Sequence, residues 1–286
     1  MRICRFDDDK LGVVRDGAVF DVSSVLKRLP QRRWPIPPGD DLIAHLDDLR
    51  PLIDAAANRA EPLPLDQVVL RAPVANPGKI IGAPVNYHAH RDEAAADAGL
   101  NFGGEVKTIE TYGLFLKASS ALVGPGDGVS LRFPDRRNDH EVELAAVIGR
   151  TVKAVEPDAA LDAVAGYCIG LDMTVRGTED RSLRKSIDSY AVLGPWLATA
   201  DEIVDPDDLS FEIAVNDEVR QRSNTSMLIF GIAELIAYAS RFYTLHPGDI
   251  IMTGTPEGVG PVEPGDVMTC HVQDLGEMQV AVSASW

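Results

Sequence analysis

Cysteine is scarce in the 286-residue sequence, and Cys4, Cys168 and Cys270 lie far apart. Three widely spaced cysteines offer neither a disulfide framework nor the paired spacing of a zinc site. The sequence also lacks any apolar run near the roughly 20 residues of a membrane span. The N-terminus turns acidic at Asp7 instead of forming the apolar core of a signal peptide. We therefore expect a protein of the reducing cytoplasm that has no membrane partner.

The sequence is also poor in positively charged residues. The 27 Lys and Arg residues are outnumbered by 44 Asp and Glu residues, which gives a formal net charge of -17. A nucleic-acid-binding protein needs a basic face, so this balance argues against a nucleic-acid partner. It leaves room for an acidic small molecule, because local cations or a metal ion can reverse the field inside a pocket.

Two carboxylates lie where a predicted β-strand, residues 138–149, becomes apolar. Successive strand side chains point to opposite faces, so Glu141 and Glu143 share one face. A solvated strand face is the common explanation for such a pair taken alone. Asp172, however, ends another apolar run, and buried like charges need a cation between them. We expect the three acids to form one site for Mg²⁺, Mn²⁺ or Ca²⁺, which prefer oxygen ligands.

The periodicity of the chain predicts two regions. Residues 1–70 form a small α/β module, with strands up to about residue 22 and helices near residues 42–57. The Pro-rich stretch 61–65 is predicted to be a linker. Residues 71–286 are mostly strand-like, with an amphipathic helix at residues 231–241.

A histidine and a carboxylate lie three residues apart on a predicted helix. His90 and Glu93 are therefore neighbours, and such a pair can act as a general base. A surface ion pair is the simpler alternative that the spacing allows. The Gly-rich, weakly patterned segment 97–111 follows, and we expect it to be a mobile lid.

Cationic and glycine-rich features complete the candidate site. Lys117 lies inside a predicted apolar strand, residues 112–122, where a lysine either extends to solvent or serves a site. Four basic residues follow Asp172 closely and offset the acids before it: Arg176, Arg181, Arg184 and Lys185. The turn at residues 253–260 has backbone N–H groups that can bind an anionic oxygen.

Seven stretches, from about residue 78 to the C-terminus, together resemble those of the fumarylacetoacetate hydrolase family. They are Asn86-Tyr87-x-x-His90-x-x-Glu93, Phe115-x-Lys117-x-x-Ser120, Glu141-x-Glu143-Leu144, Asp172-x-x-x-Arg176, Lys185-Ser186-x-Asp188, Leu193-Gly194-Pro195-Trp196 and Thr253-Gly254-Thr255-Pro256-x-Gly258-Val259-Gly260. The resemblance implies a bacterial two-domain member with an α+β, mostly β fold. A small N-terminal α/β domain (1–70) precedes a mixed β-roll or β-sandwich catalytic domain (71–286), and the protein forms a homodimer.

The resemblance also implies a reaction. It implies Mg²⁺ or Mn²⁺, with Ca²⁺ able to replace them in crystals, held by Glu141, Glu143 and Asp172. Such an enzyme cleaves a C–C bond of a metal-chelated acylpyruvate or other diketo acid, using water that a His–Glu pair activates. The implied catalytic residues are His90, Glu93 and Lys185, and the implied substrate contacts are Tyr87, Lys117, Arg176, Glu179 and Thr255. The alternatives are a decarboxylase, isomerase or lyase of a 2-oxo acid at the same site, and a non-catalytic cation-binding protein.

Two departures from the family pattern affect the substrate. Glu179 replaces a common glutamine, and we expect Arg181 and Arg184 to neutralise it. The long stretch between Glu93 and Lys117 predicts a differently shaped lid. The pattern is nearer to members that act on diketo-deoxy sugar acids than to those that act on diacids from aromatic degradation.

Overall fold

The structure, a computed structural model, describes residues 1–101 and 104–284. The strands within these ranges are β1 (Arg2–Phe6), β2 (Lys10–Arg15), β3 (Ala18–Asp21), β4 (Pro62–Pro64), β5 (Leu70–Arg71), β6 (Ile80–Gly82), β7 (Phe115–Lys117), β8 (Leu122–Val123), β9 (Val129–Leu131), β10 (Asn138–His140), β11 (Val142–Ile148), β12 (Val164–Asp172), β13 (Thr174–Val175), β14 (Ala191–Thr199), β15 (Ser210–Val215), β16 (Glu218–Asn224), β17 (Ile250–Met252), β18 (Gly260–Pro261), β19 (Val267–Val272) and β20 (Gly276–Ala284).

Helices are fewer and mostly short. The α-helices are α1 (Asp41–Ala44), α2 (Leu46–Ala57), α3 (His88–Ala96), α4 (Ala98–Asn101), α5 (Ile109–Tyr112), α6 (Pro157–Ala160), α7 (Arg181–Lys185) and α8 (Ile232–Phe242). Short 3-10 helices lie at Ser23–Arg28, Leu65–Gln67, Ser119–Ala121, Leu161–Ala163, Ala200–Glu202 and Thr225–Met227. Among the described residues, no helix is both long enough and apolar enough to cross a bilayer.

Three sheets organise the strands. The largest has the order β4-β3-β2-β1-β14-β12-β11-β17-β6-β7, with β5 beside β1 and β8 beside β14. A second sheet has the order β16-β15-β19-β20-β9, and a third has the order β13-β10-β18. Most neighbours are antiparallel, whereas β6–β17, β8–β14 and β9–β20 are parallel. The predicted α+β, mostly β class is confirmed.

The centre of the largest sheet is buried on both faces. Every residue of β11 and β14 is buried, which explains why these strands are nearly continuous apolar runs in the sequence. Val142 and Leu144 pack into one buried cluster, and Ala145 and Val147 into another. Glu143 thus shares its face with Ala145 and Val147, as the strand alternation predicts.

The predicted strand 138–149 is interrupted at Glu141. β10 pairs with β13 and β18 in the small sheet, whereas β11 pairs with β12 and β17 in the large one. Glu141 therefore lies where the chain passes from one sheet to the other, next to the end of β12.

The N-terminal strands extend the large sheet. β1 pairs with β14 through Arg2 and Ala198, and Leu11 and Ile53 share a buried cluster with Leu193. The domain boundary near residue 70 stays a prediction.

The prediction that residues 61–65 form a linker was wrong in part, because β4 pairs with β3. Its two prolines are accommodated at the edge of the sheet, where a missing N–H removes no ladder bond.

The segment before Lys117 also differs from its prediction. α5 ends at Tyr112, Gly113 follows with φ 70°, and the strand β7 has only three residues. The predicted strand 112–122 was therefore too long, because α5 and Gly113 precede β7 and the 3-10 helix Ser119–Ala121 follows it.

Candidate metal centre and substrate cavity

A cavity of about 320 Å³ opens beside the ends of β11 and β12. Its wall includes Glu141, Glu143 and Asp172 at one end, and residues of the segments 83–85, 100–112 and 176–185 around them. The predicted lid thus forms part of the wall. His90 of α3, which precedes this segment, is buried in the same wall. The part of the lid at residues 102–103 lies outside the described residues.

Strand pairing brings the three predicted ligands together. Val142 faces Leu171, and Asp172 donates its backbone N–H to the carbonyl oxygen of Glu141 over 2.9 Å. Each of the three acids offers one carboxylate oxygen, and these oxygens lie within 4.8 Å of one another. All three side chains are buried, so the solvated-face alternative does not describe them.

Three cations of the chain contact two of these acids. Lys185 Nζ donates to Glu141 Oε2 and Asp172 Oδ2, each over 2.6 Å, and to Thr174 Oγ1 over 2.7 Å. Lys117 Nζ donates to Asp172 Oδ1. Arg176 Nη2 donates to Glu141 Oε1 over 2.8 Å, while its Nε donates to Asp139 Oδ2 over 2.7 Å.

The carboxylate of Glu143 has a different hydrogen-bond partner from those of Glu141 and Asp172. The hydrogen bond that its carboxylate accepts among the described residues comes from the backbone N–H of Gly254, over 2.8 Å. Burial raises the pKa of Glu143, and the negative charges of Asp172 and Glu141 raise it further. Burial also raises the pKa of Glu141, but Lys185 and Arg176 outweigh it, so the net shift is downward. Glu143 is therefore the acid whose charge the protein balances least.

The donor set fits a hard divalent cation. It consists of buried carboxylate oxygens alone, and the charge of Glu143 lacks an adjacent ammonium or guanidinium bond among the described residues. A divalent cation beside the three oxygens would supply the missing positive charge. Mg²⁺ and Mn²⁺ both accept such ligands, whereas thiolate-seeking metals do not suit them.

The predicted His–Glu pair is formed. His90 Nδ1 lies 2.9 Å from Glu93 Oε2, and Glu93 Oε1 accepts the backbone N–H of Gly258 over 2.9 Å. Because Glu93 accepts at Nδ1, it favours the tautomer whose Nε2 is free to take a proton. The pair can thus serve as a general base on the cavity wall.

The glycine-rich turn binds anionic oxygens of the protein itself. Gly254 and Gly258 donate to Glu143 and Glu93, as described above. Thr255 lines the cavity, but its hydroxyl donates to the carbonyl oxygen of Val142 over 2.9 Å. That hydroxyl also accepts from Gln221 Nε2 over 2.8 Å, so its proton is already engaged. The expected substrate contact of Thr255 stays a prediction.

Two predicted substrate contacts lie away from the cavity wall. Tyr87 is fully buried against Phe211, with ring centroids 6.2 Å apart. Burial raises the pKa of its hydroxyl, which has no hydrogen-bond partner among the described residues. Lys117 is likewise buried, and its Nζ donates to Asp172 and, over 3.5 Å, to the carbonyl oxygen of Met173. Burial lowers the pKa of Lys117, and Lys185 adds to this effect.

Glu179 lines the cavity, but a different arginine neutralises it. Arg136 Nη1 and Nη2 donate to its two carboxylate oxygens over 3.0 and 2.9 Å. The expectation that Arg181 and Arg184 would do so was wrong, because Arg136 reaches both oxygens from the loop before β10. Arg184 Nε donates instead to the backbone carbonyl oxygen of Glu179.

Several site residues escaped the sequence analysis. Asp139 holds Arg176, and Gln221 bridges Thr255 to His140, whose Nδ1 lies 3.1 Å from Gln221 Oε1. Asp139 had a detectable signal, since it lies two residues before Glu141 in the same strand. Gln221 had none, because only the pairing of β15 with β16 and β19 brings it near the turn.

The comparisons with known proteins agree with this geometry. Residues 79–283 match the family model described as fumarylacetoacetate (FAA) hydrolase C-terminal. The chain is 54% identical over 284 residues, 99% of both chains, to the maleylpyruvate hydrolase of Aquipseudomonas alcaligenes. It is 35% identical over 300 residues to the 2,4-didehydro-3-deoxy-L-rhamnonate hydrolase of Sphingomonas sp. (strain SKA58), covering 99% of this chain and 96% of the relative.

A solved structure is similar over the whole chain. It is the maleylpyruvate hydrolase of Sphingobium sp. SYK-6, crystallised with manganese(II) and pyruvate. The two chains are 42% identical, the TM-score is 0.85, and the alignment covers 100% of each.

Proposed function

The chain belongs to the fumarylacetoacetate hydrolase family, and we propose that it is a divalent-metal-dependent hydrolase that cleaves a C–C bond of maleylpyruvate or a similar acylpyruvate. The observation that carries this proposal is the buried set of Glu141, Glu143 and Asp172 in one cavity with His90. The 54% identity to a maleylpyruvate hydrolase exceeds the 35% identity to a sugar-acid hydrolase. Between the two substrate classes that the sequence left open, these identities favour the acylpyruvate over a diketo-deoxy sugar acid.

The reaction consumes one water molecule. The bond that breaks joins the carbonyl carbon of the maleyl group to the methylene carbon of the pyruvate part. The hydroxyl of water bonds to the carbonyl carbon, which gives maleate. The methylene carbon keeps the bonding electron pair and takes a proton, which gives pyruvate.

Glu141, Glu143 and Asp172 would hold Mg²⁺ or Mn²⁺. The bound ion supplies a Lewis acid that polarises the oxygens of a 2-oxo acid. The related enzyme crystallised with manganese(II) and pyruvate supports this assignment. Lys185 and Arg176 place positive charge beside Glu141, where it would stabilise negative charge that develops on substrate oxygens.

His90 is the proposed general base. Its Nε2 would accept a proton from the attacking water, while Glu93 keeps Nδ1 protonated and stabilises the resulting imidazolium. Gly258 holds the second oxygen of Glu93, so the carboxylate cannot turn away without losing a hydrogen bond. Lys117, Tyr87, Glu179 and Thr255 would then act mainly by positioning these groups.

We also propose that the protein is a cytoplasmic homodimer. Cys4, Cys168 and Cys270 are free and buried, which suits a reducing compartment. The homodimer follows from the family resemblance, and light scattering on the purified protein measures it: twice the chain mass supports the dimer, and a single chain mass rejects it.

Product analysis tests the proposed reaction. Protein loaded with Mn²⁺ or Mg²⁺ is mixed with maleylpyruvate, and the loss of enol absorbance is followed while pyruvate and maleate are quantified. We expect equal amounts of both acids, and no turnover in chelated protein. Release of CO₂ would identify a decarboxylase, and an absorbance change without pyruvate would identify an isomerase; either outcome rejects the hydrolase.

A further inference from the structure

Two arginines of the cavity wall have no role in the site described so far. Arg181 and Arg184 lie three residues apart on α7 and are therefore neighbours on its surface. Lys185 of the same helix contacts the acids at the inner end of the cavity. The basic residues of α7 thus extend from the carboxylates of the metal site to other parts of the cavity wall.

Neither arginine bonds directly to a carboxylate of the described residues; the exposed Asp180 at the start of α7 acts on both through its charge alone, and its carboxylate accepts hydrogen bonds from Ser182. Arg184 donates from Nε to the backbone carbonyl oxygen of Glu179 over 2.9 Å, and Arg181 lies over the rings of Tyr112 and Phe115, at 4.7 and 5.7 Å. Neither forms an ion pair within residues 1–101 and 104–284. Outside the triad, the wall has two acids: Glu179, whose carboxylate is paired with Arg136, and Glu105, which is exposed.

The acids of the metal site do not require these arginines. Lys117, Lys185 and Arg176 already contact Glu141 and Asp172, and among the described residues neither Arg181 nor Arg184 bonds to any acid of the triad. Burial lowers the pKa of Arg184, the charges of Arg176 and Arg181 lower it further, and the charges of Glu141 and Glu179 oppose this shift without reversing it. Positive charge is therefore in excess at this part of the wall, and half-buried cations are unfavourable without an anion.

We propose that Arg184 and Arg181 bind the second carboxylate of a dicarboxylic acylpyruvate, the one at the far end of the acyl chain. A guanidinium fork matches a carboxylate with two parallel hydrogen bonds, and within the described residues only Nε of Arg184 is engaged, which leaves its two terminal nitrogens for them. Tyr112 and Phe115 would contact the acyl chain between the two ends. This inference rests on the proposed function and defines its substrate class as diacids.

Kinetics on two substrates test the inference. Maleylpyruvate has the second carboxylate, and acetylpyruvate has a methyl group in place of the carboxyl-bearing arm. Arg184→Gln removes the charge but keeps a donor for the carbonyl oxygen of Glu179, and Arg184→Lys keeps the charge. Leu183→Ala is the matched control, because Leu183 is an exposed neighbour on α7. Melting curves confirm that each variant is folded.

We expect Arg184→Gln to lower the ratio of kcat/KM for maleylpyruvate to that for acetylpyruvate about tenfold or more, the usual effect of losing a charged hydrogen bond. The loss appears mainly in KM. Arg184→Lys recovers part of the ratio, Arg181→Met lowers it in the same direction, and Leu183→Ala behaves as wild type. An equal loss on both substrates would show a structural role and overturn the inference.

Binding of maleate, measured by calorimetry, separates this inference from the proposed function. We expect Arg184→Gln to weaken maleate binding about tenfold, whether or not the protein turns over. Wild type that binds maleate through Arg184 but releases no pyruvate would overturn the hydrolase and keep the carboxylate site. A different result would overturn the carboxylate site alone. In that case wild type releases pyruvate, but Arg184→Gln changes neither the maleate affinity nor the ratio of kcat/KM for maleylpyruvate to that for acetylpyruvate.

Discussion

Glu143 differs from the other two acids of the site in a way that a single substitution can expose. Burial and neighbouring negative charges raise its pKa, whereas cations of the chain bind Glu141 and Asp172 directly. We expect Glu143→Gln to leave the metal-free protein at least as stable as wild type, because it removes a buried, poorly balanced charge. The same variant should lose the rise in Tm that Mn²⁺ gives wild type, since binding to the native state stabilises it.

Thermal unfolding with and without Mn²⁺ measures both effects. Glu61→Gln is the matched control, because Glu61 is exposed and far along the chain from the site. It should keep the full Mn²⁺-dependent rise. If Glu143→Gln keeps it too, Glu143 is not a ligand.

Lys185 would compete with a bound metal ion for the carboxylates of Glu141 and Asp172. Its three N–H groups are all engaged, two of them by Glu141 and Asp172. We expect Lys185→Met to tighten Mn²⁺ binding, because a positive charge next to the ion is removed. It should lower kcat more than it raises KM, because the ammonium stabilises charge that develops in the transition state.

Calorimetric Mn²⁺ titration and steady-state kinetics check the two halves of this prediction. The exposed Lys153→Met controls for a change in net charge alone. A Lys185→Met variant with kcat/KM within about twofold of wild type, well under 1 kcal/mol, would assign Lys185 a purely structural role.

At the scale of elements, α3 and the turn after β17 hold one hydrogen-bonded unit that we propose to be catalytic. His90 and Glu93 lie on α3, and Gly258 of the turn fixes Glu93. We expect His90→Ala and Glu93→Gln each to lower kcat roughly 10²–10⁴-fold, the range for a general base. The double variant should lose little more than the worse single variant, because the two side chains act together.

Gly258 offers an independent check on the same unit. Its φ is 91°, and an added Cβ would lie 2.2 Å from the carbonyl oxygen of Arg220, so Gly258→Ala must move the N–H that binds Glu93. Gly265 has φ 101° with no atom within 4 Å of an added Cβ, so Gly265→Ala matches the backbone strain alone. Gly258→Ala should lower kcat and Gly265→Ala should not.

The double variant of His90 and Glu93 provides the contradicting outcome. If its loss of kcat equals the product of the two single losses, the two side chains do not act together.

Local pattern was enough to predict some elements and not others. The alternation around Glu143 and the apolar spacing of α8 predicted a strand and a helix that the structure contains. The prolines of β4 argued against a strand, because the sequence does not show that this segment lies at a sheet edge. Arg136 and Gln221 reach the site only through long-range pairing, so no spacing along the chain could indicate them.

At the scale of the whole molecule, the N-terminal strands and the rest of the chain share one sheet and one buried cluster. A break between residues 1–70 and 71–286 would remove β1 from one side of β14 and divide the buried cluster that Leu11 and Ile53 share with Leu193. We therefore expect scanning calorimetry of the full chain to show one transition, with calorimetric and van't Hoff enthalpies that agree. Two separated transitions would instead support two independently folding domains.

The net charge of -17 acts over the whole surface of the protein, whereas the cations of the cavity wall act only inside the cavity. The negative net charge disfavours binding of nucleic acids. The cations of the cavity wall, with a bound metal ion, favour binding of an anion in the cavity. The claim that links them is that the carboxylate triad holds a divalent ion required for acylpyruvate cleavage.

Pyruvate release from maleylpyruvate, measured while chelated protein is titrated with Mn²⁺, tests that claim most directly. We predict no release before Mn²⁺ is added and saturation near one Mn²⁺ per chain. Under the same titration Glu143→Gln should stay inactive, because its third carboxylate is gone. Full pyruvate release from the chelated wild type, or Mn²⁺ activation of Glu143→Gln equal to that of wild type, would contradict the claim.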